Sequence, residues 1–318
     1  MRVRALAGGG PVARFPRGVI RAWRILGTVG ALLVAVRTAA GPDGAAILAL
    51  AEQVRSPELD YAVDFRLDVT DPDSLWKERS ASYTMIARGK DRSLVLMREP
   101  EAFHPGVLLI ADGLYWLLLP RSSRPIQLSP RQVLGGDVAH GDLARGNLVA
   151  HYAPRLDGEE QVGGEACFRL ELERRSALGM YARIRAWVAK AGYRPRQFEF
   201  YGETGALLKV ATYDDYRAGP IGLRSMRIEI RDPERPAQRS TLTFSDLRPI
   251  DASGLPLDRH GLAAFRDAAL AKLAEDGVQV EAEELVARVA SAALPRNAPA
   301  PGASSSGTGA AGTGDRGD

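Results

Sequence analysis

Asp112-Gly113 is the dipeptide that most constrains how this chain can fold. It joins two wholly apolar runs, Val107–Ala111 and Leu114–Leu119. Asp and Gly readily adopt the positive φ angles of a two-residue hairpin turn, so the sequence predicts a tight β-hairpin at this point. Pro120 ends the second strand, because proline has no N–H to donate, and Ile126–Leu128 can pair as a short third strand.

Apolar and polar side chains alternate through most of the remaining chain, which is the period of a half-buried strand. Further strands are predicted at residues 61–69, 76–88, 93–97, 168–172, 183–188, 195–201, 207–213, 223–231 and 240–247. Turn signals such as Glu203-Thr204-Gly205 separate them. Short strands at this spacing predict an α+β protein that is mainly β, with a large antiparallel meander forming a barrel or a strongly curved sheet.

Residues 1–44 have the order of residue types found in a secretory signal. Several arginines precede the apolar run Ile25–Val36, and small residues follow it through Ala40. The run is too short to span a membrane comfortably. We therefore expect a signal peptide, with an uncleaved N-terminal anchor as the alternative. An amphipathic helix at Ala45–Arg55 then opens the mature chain.

Residues 258–294 change from the strand pattern to a helical one. Leu262, Phe265 and Ala269 form an apolar stripe, and Val280–Ala293 can form a second helix. We expect this extension to cover an open end of the sheet. Residues 295–318 are rich in Ala, Gly, Ser, Thr and Pro and predict a disordered tail. The sheet domain is therefore assigned to residues 45–257.

Composition narrows the classes of function. Cys167 is the only cysteine, so neither an intrachain disulfide nor a cysteine-based zinc cluster can form, and its place in a strand predicts a buried thiol. The net charge is only +3, and arginines alternate with acidic residues as on a solvated sheet face, which disfavours nucleic acid as a partner. No cofactor is predicted, and the four histidines, His104, His140, His151 and His260, lack the spacing of metal ligands.

Residues His140–Asn147 match the H-x-D-L-x-x-x-N pattern of a kinase catalytic loop, in which Asp142 would accept a hydroxyl proton and Asn147 would bind magnesium. That chemistry also needs a glycine-rich phosphate loop, a strand lysine paired with a helix glutamate, and a second metal-binding Asp. The sequence offers none of these in the right context. A kinase-like phosphotransferase is therefore kept only as a remote alternative.

Three stretches resemble the LolA-like outer-membrane lipoprotein-sorting proteins of the bacterial periplasm. The first is Gly113–Pro120 with Arg121 and Arg124 after it. The second is Leu134–Asp137 running on to Asp142-Leu143. The third begins at Arg185-Ala186-Trp187-Val188 and continues through Pro195 and Tyr201 to Arg217. The resemblance covers residues 45–251.

This resemblance implies an incomplete, half-open antiparallel β-barrel of about eleven strands wrapped around helices, as in LolA and LolB. It further implies a non-catalytic periplasmic carrier that shields acyl chains of lipids or lipoproteins in an apolar cavity during transfer toward the outer membrane. Large apolar residues of the hairpin and the late strands are the candidate cavity wall: Trp116, Leu118, Phe198, Phe200, Met226, Ile228, Leu242 and Phe244. For any one of them, the alternative is that it simply fills a solid core, which is the default for buried apolar residues.

A second hypothesis is a non-catalytic module that docks on an inner-membrane lipid exporter and holds no ligand. The basic turn with Arg121 and Arg124, or a free sheet edge, would then be the contact.

Overall fold

The structure is a computed structural model, and it describes residues 43–75, 77–99, 105–131, 133–139, 142, 147–276 and 281–293. The described helices are α1 Gly44–Arg55, α2 Leu148–His151, α3 Leu262–Asp276 and α4 Ala282–Ala293. The described strands are β1 Tyr61–Thr70, β2 Glu78–Arg88, β3 Arg92–Glu99, β4 Val107–Ala111, β5 Leu114–Leu118, β6 Ile126–Leu128, β7 Val133–Gly135, β8 Val138–Ala139, β9 Tyr152–Val162, β10 Glu165–Arg174, β11 Arg183–Ala189, β12 Pro195–Tyr201, β13 Leu207–Gly219, β14 Gly222–Arg231 and β15 Arg239–Pro249.

Thirteen of these strands form one antiparallel sheet in the order β6-β5-β4-β3-β2-β1-β15-β14-β13-β12-β11-β10-β9. The sheet does not close, because β6 and β9 are its two edges. The central hairpin is confirmed: Ala111 pairs with Leu114, and Asp112 and Gly113 have φ angles of 54° and 76°. The predicted open, mainly β architecture is therefore correct.

Strand β9 is the element that the sequence pattern did not reveal. Its residues include Pro154 and Gly158, which both weaken a central strand. Here they are tolerated because β9 is an edge strand, paired on one side only with β10, and its register shifts by a bulge at Asp157, next to Gly158. The structure thus has thirteen strands in the main sheet, where about eleven were expected.

The inner face of the sheet is the face that carries α1. The carboxylate of Asp43 begins this helix by accepting a hydrogen bond from the Ala46 N–H at 2.7 Å. Ile47, Leu48 and Ala51 then pack into an apolar cluster with inner residues of almost every strand. Tyr115 near one edge of the sheet and Tyr152 at the other edge line the same pocket, so the sheet curls around its interior.

Helices α3 and α4 lie on the outer face of the sheet and correct the expectation that they cover an open end. Phe265 and Leu285 pack with residues of β1–β5 that point away from α1, such as Ile86 and Leu94. The connecting segment is attached by Arg88, which donates to the Leu255 carbonyl at 2.6 Å. The middle of β3 and all of β4 are apolar on both faces, and both of these faces are covered.

The outer face of the later strands is charged instead. Glu171 on β10 pairs with Arg183 at 2.9 Å and with Arg185 at 2.6 Å, both on β11. Cys167 and Trp187 form a small separate buried cluster there, so the prediction of a buried thiol is confirmed. The alternation of arginine with acidic residues therefore reflects cross-strand ion pairs.

Some expectations fall on residues outside the described ranges. These are almost all of the predicted signal segment, the predicted tail at residues 295–318, and the residues Trp76, His104 and His140. Within the described ranges, no helix combines the length and apolar character that crossing a membrane requires.

The outer-face packing generates a stability prediction. Phe265→Ala removes a fully buried ring between α3 and the sheet, and we expect the free energy of unfolding to fall by about 3–5 kcal/mol. Leu270→Ala, on an exposed position of the same helix, is the matched control and should cost no more than about 1 kcal/mol. Urea denaturation followed by circular dichroism measures both, and equal losses would contradict the placement of α3.

Candidate ligand pocket

A pocket of about 150 Å³ lies between α1, the inner face of the sheet and residues 178–181 of the loop that joins β10 to β11. Most of its wall is aliphatic or aromatic, and it communicates with solvent. Five predicted wall residues line it: Phe198, Phe200, Ile228, Leu242 and Phe244.

The strand register explains why these five side chains meet. Ile228 on β14 is paired directly with Leu242 on β15, so both point to the same face. On β12, Phe198 and Phe200 are two residues apart and share that face as well. Phe198 also makes an edge-on contact with the ring of Tyr213, with centroids 5.2 Å apart. These apolar residues of the wall therefore come from β12, β14 and β15, whose inner side chains lie on the same face of the sheet.

Trp116 and Leu118 do not line the pocket, which corrects their assignment to the cavity wall. They alternate with Tyr115, which does line it, so they point to the outer face and pack with the C-terminal helices. The guanidinium of Arg259 lies 5.4 Å from the centre of the Trp116 ring. Met226 is buried and is also absent from the lining, although it alternates in step with Ile228.

Sequence patterns did not single out the tyrosines of the pocket: Tyr61, Tyr115, Tyr152, Tyr181 and Tyr213. Burial raises the pKa of Tyr115 and of Tyr213 to about 12, so both hydroxyls are neutral at physiological pH. Tyr152 donates to the Tyr181 carbonyl at 3.1 Å and accepts from the Tyr181 N–H at 3.1 Å. These contacts fix one end of the pocket.

Asp142, the residue of the kinase-like pattern, forms part of this wall, and its carboxylate is held by hydrogen bonds. Its carboxylate accepts hydrogen bonds from the Tyr181 hydroxyl at 2.7 Å, the Ala139 N–H at 2.7 Å and the Lys209 ammonium at 2.5 Å. Its side chain is only 8% exposed. Asn147 caps α2 by accepting from the Ala150 N–H at 3.0 Å. Both side chains are therefore engaged in holding the fold.

A second buried charge pair connects the helices beside the pocket. Arg55, at the end of α1, lies 2.5 Å from the Glu52 carboxylate. The other oxygen of Glu52 accepts the Leu148 N–H at 2.9 Å and so ties α1 to the start of α2. Burial raises the pKa of Glu52, and the nearby Arg55 opposes that rise.

The loop between β10 and β11 extends across to the central hairpin. The Leu178 side chain packs against Gly113, where a Cβ atom would lie only 2.7 Å from a Leu178 methyl group. Arg131 donates to the Met180 carbonyl at 3.0 Å. Leu178 is nevertheless 54% exposed. It lies between the pocket and an adjoining cleft of about 360 Å³, which shares Tyr115 and His151 with it.

The residues proposed for partner contact lie away from the pocket. Arg121 and Arg124 are exposed on the turn after β5 and are not part of the lining. Within the described ranges, neither has a carboxylate oxygen within 4 Å.

One group of acidic residues has the spacing of a metal site: Asp64, Asp246 and Glu281. Arg248 lies among them, 2.5 Å from Asp246 and 3.6 Å from Glu281. Arg98 lies 3.9 Å from both Asp64 and Glu281. With two arginines among its carboxylates, the group is an ion-pair network.

The fold and the pocket define a class: an open half-barrel with an apolar interior. A family model described only as an uncharacterized protein matches residues 89–252, slightly more than half of the chain. The chain is 30% identical to a LolA superfamily protein from Nitrosomonas europaea, with a TM-score of 0.61 over 66% of this chain and 94% of that one. The chain belongs to the LolA superfamily.

Two further structures share the fold. An outer membrane lipoprotein-sorting protein domain from Vibrio parahaemolyticus is 20% identical, with a TM-score of 0.60 over 69% of this chain and 97% of that one. A DUF1329 family protein from Desulfovibrio piger is 18% identical, with a TM-score of 0.62 over the same shares. No curated protein matches the chain.

The Asp142–Lys209 pair provides a test of the pocket wall. Asp142→Asn leaves the largely buried Lys209 without its counter-charge, and we expect a loss of about 3 kcal/mol in the free energy of unfolding. Adding Lys209→Met should restore part of that loss, because the unpaired charge is then removed. Asp215→Asn is the control on β13, the strand that carries Lys209. It breaks an exposed pair with Arg217 and should lower the free energy of unfolding by no more than about 1 kcal/mol.

Chemical denaturation gives the free energy of unfolding of the unmodified chain and of the three variants. A double variant that is no more stable than Asp142→Asn alone would show that charge pairing is not what this carboxylate contributes.

Proposed function

We propose that this chain is a non-catalytic periplasmic carrier that binds an acyl chain of a lipid or lipoprotein and moves it toward the outer membrane. The observation that carries the proposal is the apolar pocket inside an open half-barrel, with Phe200, Ile228 and Phe244 on its wall. The fold shared with a lipoprotein-sorting domain supports it. The N-terminal sequence, with its pattern of a secretory signal, supports the location.

The energetics of such a pocket favour hydrocarbon. Each methylene group removed from water contributes about 0.8 kcal/mol, and a pocket lined by rings and aliphatic side chains needs few polar contacts to bind it. A cavity of about 150 Å³ holds a molecule of roughly the size of benzene, so it accepts part of an acyl chain. The remainder would pass Leu178 and Met180 into the adjoining cleft, which shares these two residues with the pocket.

A filled pocket should bind poorly. Ile228→Trp places an indole in the space beside Leu242, and we expect the affinity for the uncharged fluorescent probe N-phenylnaphthylamine to fall by about ten-fold or more, equivalent to two excluded methylene groups. Arg227→Trp puts the same side chain on the neighbouring exposed position, which faces the other side of the strand. It should bind the probe as the unmodified chain does.

Fluorescence titration gives the affinities, and circular dichroism checks that both variants fold. The carrier proposal fails if the unmodified chain does not bind the probe, or if the two tryptophan variants lose affinity equally.

A second candidate function is favoured by the basic turn. Arg121 and Arg124 are exposed, and each lacks a carboxylate partner among the described residues, so the turn fits an acidic surface on a membrane lipid exporter. Arg121→Gln combined with Arg124→Gln should leave probe binding unchanged, because neither residue lines the pocket. It should reduce association with inner-membrane vesicles that contain the exporter.

Association is measured by co-sedimentation at low and high salt. Salt-independent association, or association unchanged in the double variant, would remove this turn as the contact.

A further inference from the structure

Arg224 is a charged residue on the wall of a largely apolar pocket. It lies on β14, four residues before Ile228, and therefore on the same inner face. Its guanidinium donates to the Tyr61 hydroxyl at 3.2 Å and lies 5.4 Å from the centre of the Tyr61 ring. A guanidinium has five N–H donors, so these contacts leave most of its donors available.

The other charged groups on the pocket wall have counter-charges. Arg55 is paired with Glu52, and Asp142 is paired with Lys209. Burial, with a contribution from nearby Arg175, lowers the pKa of His151 and so favours its neutral form. Within the part of the chain that the structure describes, no carboxylate oxygen lies within 4 Å of Arg224. Among the described residues, the wall therefore carries one positive charge that has no carboxylate counter-charge.

The neighbouring arginines have carboxylate partners, so the lack of one at Arg224 is not a general property of the region. Arg194, Arg196 and Arg224 all lie near Tyr216. Arg194 pairs with Glu165 at 2.8 Å, and Arg196 lies 3.5 Å from Asp214. Neither of those two lines the pocket. Of these three arginines, the one that lines the pocket is the one without a carboxylate partner among the described residues.

We infer that the ligand is a single-chain amphiphile with an anionic head, a carboxylate or a phosphate, and that Arg224 binds the head while the hydrocarbon lies against Phe200, Ile228 and Phe244. This inference rests on the proposed carrier function and specifies its substrate class. A guanidinium forms paired, charge-assisted hydrogen bonds with either head group. A single chain fits the volume of about 150 Å³ better than a lipid with several chains.

The apolar wall alone would bind ligands with charged and uncharged head groups equally well, whereas Arg224 would distinguish them. A chain attached through an uncharged amide or ester gains little from Arg224, whereas a free carboxylate or phosphate at the end of the same chain supplies the missing counter-charge. The arginine thus makes the pocket selective for the head group, while the ring and aliphatic wall provides affinity for the chain.

Displacement of bound N-phenylnaphthylamine by three competitors of equal chain length tests this inference: dodecanoate, dodecyl phosphate and dodecanol. Dodecanoate or dodecyl phosphate should compete about ten-fold or more better than dodecanol, the effect of a hydrogen-bonded charge pair. Whichever anion competes better identifies the head group. Arg224→Gln should remove the advantage of the anions and leave dodecanol unaffected, and Arg224→Lys should keep part of it.

Arg227→Gln is the matched control, because it removes an arginine three residues away on the exposed face. It should leave all three affinities unchanged. The inference is overturned if the unmodified chain binds dodecanol as well as the anions, or if Arg224→Gln weakens all three competitors equally. Either result leaves the carrier proposal standing, whereas failure of the probe itself to bind would overturn the carrier proposal.

Discussion

The structure depends on an imbalance between the apolar surface of a long curled sheet and the short segments that cover its inner face, chiefly helix α1. Nearly every strand of the thirteen contributes inner apolar residues, from Tyr115 at one end to Tyr152 at the other. Helix α1 has twelve residues and packs against β9, β10, β12 and β14. Apolar space remains beside Ile228, Leu242 and Phe244.

The apolar surface is covered differently on the two faces of the sheet. On the outer face, α3 and α4 cover apolar residues of the first strands, with Phe265 and Leu285 fully buried. On the inner face, the charge pairs Asp142–Lys209 and Glu52–Arg55 close part of the interior. Polar contacts hold the ends of the pocket, and its middle stays apolar. A mostly apolar wall with a few placed polar groups is the usual composition of a small-molecule pocket.

The strands and the central hairpin could be predicted from sequence, because alternation and the Asp112-Gly113 turn are local signals. The sequence did not predict which side chains of each strand lie on the inner face of the sheet and which on the outer face. Trp116 and Leu118 belong to a strand that is apolar on both sides, so its pattern contains no information about which side meets α1. Strand β9 was missed since Pro154 and Gly158 are acceptable only at a sheet edge, and the edge is set by the whole topology.

The wall residues on late strands were more predictable, since Phe198, Phe200 and Ile228 alternate with polar neighbours that identify the outer side. Arg224 follows the same alternation, but a charged residue in an apolar row does not look like part of a cavity wall. Asp142 is the converse case. Its sequence neighbours match a catalytic loop, while its contacts come from Tyr181 and Lys209, which are distant in the chain.

The central claim is that the curled sheet leaves room for a hydrocarbon chain between α1 and the late strands. A crystal structure of the chain soaked with a terminally brominated alkyl chain tests this most directly, because anomalous scattering locates the bromine independently of the protein. We predict a bromine peak inside the pocket, within contact of Phe200, Ile228 or Phe244. A peak only on the outer surface, or an interior filled by the protein's own side chains, would contradict the account.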